Sequence, residues 1–306
     1  MSKGTPLISV IIPTYNRRDY LTDAIDSVLS QQTGNIEIIV VDDGSTDGTA
    51  DALRPYSGSI KYVYQENRGG SSARNRGVNV ASGELLAFLD SDDLWLPGKL
   101  KAQSGLDFSE NLLSFHGVEW FVGCKQDLPL LKRSENVKWP RCRPDGFVND
   151  PVLDVAQGRY FTLVTLLCSK SVFQKVGFFD EDLTYGEDED WFSRASSIMK
   201  FHYIPETFVK IRYHSNQMQS ESEKTLRSLI KVFERMRART RGVHPQAYAE
   251  ANRRLAAKWS HLANRLACQG RSAEASRAAL AAFLLQPICL QRLMKAGLML
   301  TGLGRK

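Results

Sequence analysis

A short cluster of carboxylates follows one of the apolar segments of the sequence. Asp90, Asp92 and Asp93 come directly after the apolar run at residues 85–89. Held together at one strand end, these side chains would repel each other unless a cation lay between them. Mg²⁺ and Mn²⁺ take one or two protein carboxylates and complete their shells with phosphate oxygens and water. Acids at the start of a helix over residues 94–97 would give the same letters, so the residues alone leave a metal site and a helix cap open.

A second pair of acids and one aromatic ring follow two other apolar runs. Asp42 and Asp43 come after the run at residues 36–41, and Tyr15 follows the run at residues 7–12. A carboxylate in such a place can accept hydrogen bonds from a base or a ribose, and a tyrosine ring can lie against a base. In isolation, an ordinary Asp-Gly turn and a core aromatic residue are equally good interpretations of these positions.

Four consecutive acids occur at residues 187–190, between Gly186 and Trp191. Acids at a helix N-terminus are favoured by the helix dipole, which would explain part of this pattern. Four acids exceed what that effect needs. Because consecutive residues point in different directions around a helix start, one carboxylate can face a substrate while a neighbour holds the backbone. This arrangement suits a general base that stays ionised near neutral pH.

His214 is a further candidate ligand, because it follows a strand-like segment at residues 208–211. A metal-binding role and an ordinary surface or core histidine are both open, and its neighbours Arg212 and Ser215 could bind phosphate. The sequence has no GxGxxG pattern after the first apolar run and no GxxxxGK[ST] loop. Both absences argue against a nicotinamide-dependent dehydrogenase and a P-loop ATPase.

Alternating strands and helices are predicted to position these groups. Strands are expected at residues 7–12, 36–41, 60–64 and 85–89, with a helix in each interval. This order predicts an α/β fold whose mostly parallel, doubly wound central sheet is flanked by helices. Ligands of open α/β sheets bind at the carboxyl ends of the strands. We therefore expect the polar residues after strands one, two and four to face one crevice.

The rest of the chain is less regular. Residues 106–150 predict loops with a hairpin, residues 161–168 a strand, and residues 171–176 a helix, with another helix beginning near Glu189. From about residue 222 the composition is that of helices, with breaks at residues 242–245, 270 and 287. This pattern predicts an α-helical C-terminal extension of four helices in two hairpins.

Composition and charge narrow the possible classes of protein. The 306 residues are 42% hydrophobic and 24% charged, as expected of a folded globular chain. The five cysteines are an odd number without a CxxC pair, which argues against a disulfide framework and a zinc site. Residues 1–220 hold 23 Lys and Arg against 29 Asp and Glu, whereas residues 221–306 hold 17 against 5. An acidic body therefore carries a basic tail.

The basic tail has two interpretations. Residues 291–300 combine apolar and cationic side chains and are too short an apolar segment to span a membrane. This tail could lie on an anionic membrane surface or pack against the protein. Nucleic acid is not an expected partner, because the basic residues lack interleaved aromatics. Since no secretion signal is evident, we expect a cytoplasmic protein, with a peripheral position on the inner face of the cell membrane as the alternative.

Taken together in order, five segments resemble the successive motifs of glycosyltransferase family 2, which has the GT-A fold, a Rossmann-like architecture. The resemblance extends over about residues 7–215. Its five segments are residues 9–17 (SVIIPTYNR), 41–47 (VDDGSTD), 67–75 (NRGGSSARN), 90–93 (DSDD) and 186–191 (GEDEDW).

The resemblance implies an inverting transfer of a hexose-type sugar from a nucleotide diphosphate, usually UDP-linked, to a hydroxyl of a glycan or lipid-linked acceptor. It implies that Asp188 is the general base, that Asp92 holds Mn²⁺ or Mg²⁺, and that the other motif residues form the donor site. His214 stays a second metal candidate on the basis of its position in the sequence. Within the donor site the nucleobase of the donor would contact Pro13, Tyr15 and Asp42 or Asp43, and the ribose would contact Asp90. The donor-binding set is Pro13, Tyr15, Asp42, Asp43, Arg74, Asn75, Asp90 and Ser91.

This interpretation divides the chain into three parts. Residues 1–105 would bind the nucleotide-sugar, residues 106–220 would bind the acceptor and carry the base, and residues 221–306 would form the basic helical extension. Surface polysaccharide biosynthesis is the expected setting. The alternatives are a noncatalytic sugar-nucleotide-binding or scaffolding protein with the same fold and, less favoured, a nucleotidyltransferase.

Overall fold

The computed structural model describes residues 7–31, 35–122, 137–213 and 222–286. Its strands are β1 (Ile8–Thr14), β2 (Ile36–Asp42), β3 (Ile60–Tyr64), β4 (Leu85–Phe88), β5 (Leu94–Trp95), β6 (Leu112–Val122), β7 (Leu167–Ser169) and β8 (Lys200–Tyr213). Its α-helices are α1 (Arg18–Leu29), α2 (Thr49–Ala52), α3 (Gly70–Val80), α4 (Lys99–Ser104), α5 (Pro151–Ala156), α6 (Ser171–Val176), α7 (Glu187–Ala195), α8 (Glu223–Thr240), α9 (Pro245–Cys268) and α10 (Ser272–Leu285).

The described residues group into two compact units. The first unit contains those within residues 1–151, 159–181 and 194–217, and the second contains those within 152–158, 182–193 and 218–306. The acidic segment at residues 182–193 therefore belongs with the C-terminal helices. The three-part functional division made from the sequence stays a prediction.

The first unit is built on a mixed eight-stranded sheet with the order β3-β2-β1-β4-β7-β6-β8-β5. Strands β1 to β4 are all parallel, which confirms the predicted α/β architecture. The other half is mixed, because β7 runs antiparallel to β4 and β6, and β5 runs antiparallel to β8. The sheet is therefore a parallel, Rossmann-like half extended by a mixed half, in which β6 and β8 form a further parallel pair.

Strands β1 and β2 of the parallel half are buried on both faces. Val10, Ile11 and Ile12 of β1 are completely inaccessible to solvent, as are Ile39 and Val40 of β2. This explains why the two strands are continuous apolar runs rather than alternating ones, since helices cover both faces of a parallel sheet.

Helix α3 approaches β1 so closely that Gly77 has no room for a side chain, because an added Cβ would overlap Ile11. This contact fixes the helix that carries Arg74 and Asn75 against the central strand.

One alternative is excluded and one local prediction needs correction. Residues 94–95 form strand β5 rather than the start of a helix, because they pair with Val209 and Lys210 of the distant strand β8. Residues 112–122, predicted as loop, form the long strand β6, whose pattern is obscured by the buried polar residues Ser114 and His116. Within the described residues 137–150, Cys142 and Val148 form an isolated antiparallel bridge on either side of a turn; residues 123–136 of the predicted loop and hairpin region lie outside the described residues.

The predicted strand at residues 161–168 is shorter than expected. Leu163–Thr165 form a 3-10 turn, and only Leu167–Ser169 pair as β7. The predicted helix at residues 171–176 is confirmed as α6, and the helix expected near Glu189 begins at Glu187 as α7.

The second unit is helical, as the composition of its sequence predicts. Helix α8 begins after Ser222, whose Oγ accepts a hydrogen bond from the Thr225 backbone N–H at 3.0 Å. Small alanine side chains, among them Ala251 of α9 and Ala278 of α10, are buried in the core of this unit. The fourth predicted helix lies outside the described residues. Across residues 7–31, 35–122, 137–213 and 222–286, no helix has the length and apolar character needed to cross a bilayer.

Candidate active site

The polar segments predicted to face one crevice follow neighbouring strands of the first unit. Strand β1 lies between β2 and β4, and Thr14 at its end is in register with Asp42. The Asp43 N–H donates to the Thr14 carbonyl at 2.9 Å, and the Leu89 N–H donates to the Ile11 carbonyl at 3.1 Å. Because these strands are parallel, the segments after β1, β2 and β4 lie at the same edge of the sheet.

Asp42 and Asp43 are buried and hold the surrounding loops. The Asp42 carboxylate accepts hydrogen bonds from the Ser45 N–H at 2.8 Å and from the Tyr62 hydroxyl at 2.7 Å. The Asp43 carboxylate accepts from the Gln65 side chain at 2.7 Å and from the backbone N–H groups of residues 68 and 69 at 2.9 and 2.8 Å. The edge of the site is therefore preformed by this pair of acids, and their contact with a base stays a prediction.

Tyr15 is presented to solvent by a rigid loop. Tyr15 is 48% exposed, which excludes its interpretation as a core aromatic residue. The neighbouring Asn16 has a φ of +51°, and its side chain accepts a hydrogen bond from the Thr46 N–H at 2.8 Å. The Asn16 N–H in turn donates to the Ser45 hydroxyl at 2.9 Å. The loops after β1 and β2 are thus tied together, which leaves the Tyr15 ring outside and accessible.

Arg74 and Asn75 of α3 act on different segments. The Arg74 guanidinium donates to the Asp90 carboxylate at 2.8 Å and so ties α3 to the end of β4. The buried Asn75 amide accepts from the Phe179 N–H at 2.9 Å and donates to the Phe179 carbonyl at 2.9 Å and to Glu181 at 3.1 Å. Asn75 therefore holds the segment at residues 179–181, and a direct contact with the donor stays a prediction.

The loop after β4 is organised by Arg212, whose role the sequence did not reveal. Asp93 is buried and accepts a hydrogen bond from the Arg212 backbone N–H at 2.9 Å. The Arg212 guanidinium donates to the Asp92 carbonyl at 2.8 Å and lies 4.7 Å from the ring centroid of Tyr20 and 4.6 Å from that of Phe121. The Arg212 side chain is only 1% exposed. Arg212 is therefore a structural cation and not a surface ligand for phosphate, the role considered for it in the sequence analysis.

The side chains of this loop concentrate negative charge at the strand end. Asp90 and Asp92 are half-buried, and Ser91 between them is buried. Burial, and then the charges of Asp92 and Asp90, raise the pKa of the Asp93 carboxyl well above its usual range. A divalent cation beside Asp92 would relieve this repulsion, and carboxylate oxygens are the ligands that Mg²⁺ and Mn²⁺ prefer. The residues present therefore fit the predicted metal.

Besides Asp92, the described residues supply few further ligands for the predicted metal. Arg17 lies near the Asp92 carboxylate, with its Nε 3.5 Å from Oδ2. In the described part of the chain, no three His, Cys, Asp or Glu side chains are grouped so that they could hold a metal on their own. His214, the second predicted ligand, lies outside the described residues.

Loss of the Arg212 contacts should loosen the loop after β4. We expect Arg212→Met, which keeps an apolar stem but removes the donors, to lower the free energy of unfolding by about 2 to 4 kcal/mol, because the Asp92 carbonyl loses its hydrogen bond and the guanidinium contacts with the Tyr20 and Phe121 rings are lost. Urea unfolding would measure the stability of the variant, and titration with UDP and Mn²⁺ would measure its affinity for UDP. Arg143→Met is a matched control, because Arg143 is 54% exposed and pairs with the nearby Asp145. Unchanged stability and unchanged UDP affinity in Arg212→Met would contradict the assignment.

In the second unit, the four consecutive acids have different environments. Asp190 is buried, and its Oδ1 lies 2.9 Å from Arg239 Nη2 and 3.9 Å from Arg235 Nη1. Glu189 forms an ion pair with Arg254. Asp188 is half-buried, and its Oδ1 accepts a hydrogen bond from the Glu189 N–H at 2.7 Å. The structure thus distinguishes the buried, ion-paired Asp190 from the more accessible Asp188, whose role as a base stays a prediction.

Comparisons with known sequences match this chain to glycosyltransferases. A family model described as glycosyl transferase family 2 matches residues 9–105. An uncharacterised glycosyltransferase of Rickettsia typhi is 37% identical over 220 residues, which cover 70% of this chain and 66% of that protein. The putative teichuronic acid biosynthesis glycosyltransferase TuaG of Bacillus subtilis is 49% identical over 107 residues, which cover 34% of this chain and 42% of that protein.

Solved structures share the fold. S. aureus TarS 1–349 in complex with UDP-GlcNAc matches with a TM-score of 0.65 at 17% identity, over 91% of this chain and 81% of that one. The mannosyltransferase PcManGT of Pyrobaculum calidifontis, in complex with GDP-Man and Mn²⁺, matches with a TM-score of 0.60 at 20% identity, over 97% and 81%. At these identities the likeness establishes the fold alone. Together with the family model and the relatives, it shows that the chain belongs to glycosyltransferase family 2 and has the GT-A fold.

Proposed function

We propose that the protein transfers a hexose-type sugar from a nucleotide diphosphate donor, with UDP as the expected nucleotide, to a hydroxyl of a glycan or lipid-linked acceptor. The observation that carries this proposal is the common sheet edge where Tyr15, the Asp42–Asp43 pair and the Asp90–Asp93 loop follow three neighbouring parallel strands. The names of the relatives support it, since TuaG is a putative polysaccharide-biosynthesis enzyme and TarS binds UDP-GlcNAc.

The first unit would bind the donor. The exposed Tyr15 ring offers a face for a base, with Pro13 and the Asp42–Asp43 pair beside it. Asp90, oriented by Arg74, would accept hydrogen bonds from the ribose hydroxyls, and Ser91 lies in the same loop. Since the loops carrying these groups are held by hydrogen bonds of the protein itself, little ordering free energy would be lost when the donor binds.

Asp92 would hold the divalent metal, Mn²⁺ or Mg²⁺. The Asp92 backbone is fixed by Arg212, so its carboxylate is presented by a preorganised loop. Bound there, the metal would act as a Lewis acid that stabilises negative charge on the departing diphosphate. The GDP-Man and Mn²⁺ complex of PcManGT supports the use of a divalent metal.

Asp188 would be the general base of an inverting reaction. As the acceptor oxygen attacks the sugar C1 from the face opposite the diphosphate, the Asp188 carboxylate would take the acceptor proton. The C1–O bond to the diphosphate breaks while the new glycosidic bond forms, so the configuration at C1 inverts. Holding donor and acceptor together removes much of the entropic barrier.

The basic extension would place the enzyme near an anionic, lipid-linked acceptor. Residues 221–306 carry 17 Lys and Arg against 5 Asp and Glu, which suits a peripheral position on the cytoplasmic face of a membrane. Sedimentation with vesicles that contain anionic lipid would check this part of the proposal. Equal binding to neutral and anionic vesicles would contradict it.

Calorimetric titration with UDP tests the donor site without knowledge of the acceptor. We expect binding that is stronger with Mn²⁺ than in its absence, because Asp92 would hold the metal and the metal would offset the negative charge of the diphosphate. Release of UDP from UDP-GlcNAc, UDP-glucose and UDP-galactose would then identify the donor. Binding without turnover of any nucleotide-sugar, including GDP-mannose, would favour the noncatalytic scaffolding alternative. Absence of binding to UDP, GDP and dTDP would reject the donor site.

A further inference from the structure

The acidic helix α7 is held by the C-terminal helices through the turn that precedes it. Ser228 of α8 binds both backbone polar groups of Tyr185. Its Oγ donates to the Tyr185 carbonyl at 2.8 Å and accepts from the Tyr185 N–H at 3.2 Å. Ser228 is buried, so water cannot readily replace it in these bonds. The turn is thus fixed to α8 by two hydrogen bonds from one side chain.

The next residue, Gly186, brings the turn into close contact with α8. It has a φ of +79°, and an added Cβ would lie 2.9 Å from Leu229 Cδ2 and 3.4 Å from Val232 Cγ2. Both the backbone conformation and the space therefore favour glycine at this position. The glycine of the acidic motif allows α7 to begin directly on the surface of α8.

Arginines of α8 and α9 then hold two of the four acids. Arg239 lies 2.9 Å from the buried Asp190 carboxylate and also donates to Ser193 at 3.3 Å. Arg254 of α9 pairs with Glu189, donates to the Val155 and Ala156 carbonyls and lies 4.3 Å from the Phe233 ring centroid. The groups that fix the start of α7 are Ser228, Leu229, Val232, Arg235 and Arg239 of α8 and Arg254 of α9.

We propose that α8 and α9 are positioning elements for the base helix, with Ser228 and Arg239 as positioning residues that set the place of Asp188. In the sequence, Asp188 lies between the turn held by Ser228 and the ion-paired acids Glu189 and Asp190. The contacts on both sides therefore determine the direction of its carboxylate. This inference rests on the proposed role of Asp188 as the base. It gives the C-terminal helices, which lie beyond the segment matched by the family model, a part in turnover rather than in donor binding.

The test compares Ser228→Ala and Arg239→Gln with the wild-type full-length chain. A displacement of about 1 Å of a catalytic group can cost about 100-fold in rate, so we expect kcat for UDP release from UDP-GlcNAc to fall by about 10- to 100-fold in both variants. The donor KM and the calorimetric affinity for UDP with Mn²⁺ should stay within about twofold of wild type. Hydrogen exchange at residues 186–193 should become faster.

Two further variants separate positioning from general loss of structure. Arg239→Lys keeps the charge opposite Asp190 and should recover most of the kcat lost in Arg239→Gln. Arg253→Gln is the matched control, because Arg253 is an exposed arginine of α9 that pairs with Glu250, and it should behave as wild type. If Arg239→Gln does not fold because Asp190 loses its ion pair with Arg239, Ser228→Ala decides the question, since it leaves that ion pair intact.

The results distinguish this inference from the proposed function. Faster exchange at residues 186–193 with an unchanged kcat would overturn the positioning role and leave the proposed function standing. A reduced kcat with unchanged exchange there would also overturn it, because the helix would not depend on these contacts. A wild-type protein that binds UDP but releases none from UDP-GlcNAc, UDP-glucose, UDP-galactose or GDP-mannose would overturn the proposed function, and the positioning role with it.

Discussion

Asp188→Asn is expected to bind UDP as the wild type does and to turn over the donor about 10²- to 10⁴-fold more slowly, the usual contribution of general-base assistance. Asparagine has nearly the same size and can still accept a hydrogen bond from the Glu189 N–H, but it cannot take a proton. Because the change affects only the proton transfer, kcat and kcat/KM should fall together while the affinity for the donor is kept.

Rates of UDP release measured beside calorimetric UDP titrations would separate the two effects. Glu187→Gln is the matched control, since it removes a half-buried carboxylate from the preceding position of the same helix and should reduce kcat far less. Asp190→Asn tests the neighbouring acid and should lower stability and, like Arg239→Gln, reduce kcat by about 10- to 100-fold, because the same buried ion pair is lost. Full activity in Asp188→Asn would reject the base assignment.

Asp92→Ala is expected to lose the gain in UDP affinity that Mn²⁺ provides. The wild-type protein should bind UDP at least about tenfold more tightly with Mn²⁺, or about 1.4 kcal/mol, because a metal held by Asp92 would offset the negative charge of the diphosphate. Without the Asp92 side chain, the carboxylate that would hold the metal is missing. The fold should survive, because the Arg212 bond in this loop is to the Asp92 backbone carbonyl, which alanine retains.

The measurement is a pair of UDP titrations, with and without Mn²⁺, on the wild type and the variant. Asp51→Ala serves as the control, because the Asp51 side chain is 72% exposed and pairs with Arg54 on the surface. It removes one carboxylate from the same unit without touching the loop after β4. If Asp92→Ala retained the full effect of Mn²⁺, the metal would have to bind elsewhere.

Features that depend on local sequence were predictable. Strands β1 to β4 are short apolar runs separated by amphipathic helices, and parallel strands bring their carboxyl ends to one edge. The relation between Tyr15, the Asp42–Asp43 pair and the loop after β4 therefore followed from the order of the elements alone. The C-terminal helices α8, α9 and α10 were predictable for the same reason, because helix formers and glycine or proline breaks act over a few residues.

Features that depend on contacts between distant residues were not predictable. The two residues of β5 carry no recognisable strand pattern and are ordered by pairing with β8, and Arg212 is buried between Tyr20 and Phe121, which are far away in sequence. Likewise, the letters of the acidic motif do not distinguish Asp188 from Asp190. The sequence by itself determined which chemical groups occur at the strand ends and in the acidic helix. Only the tertiary structure decided which of the acids are buried in ion pairs, because burial and pairing arise when distant segments pack together.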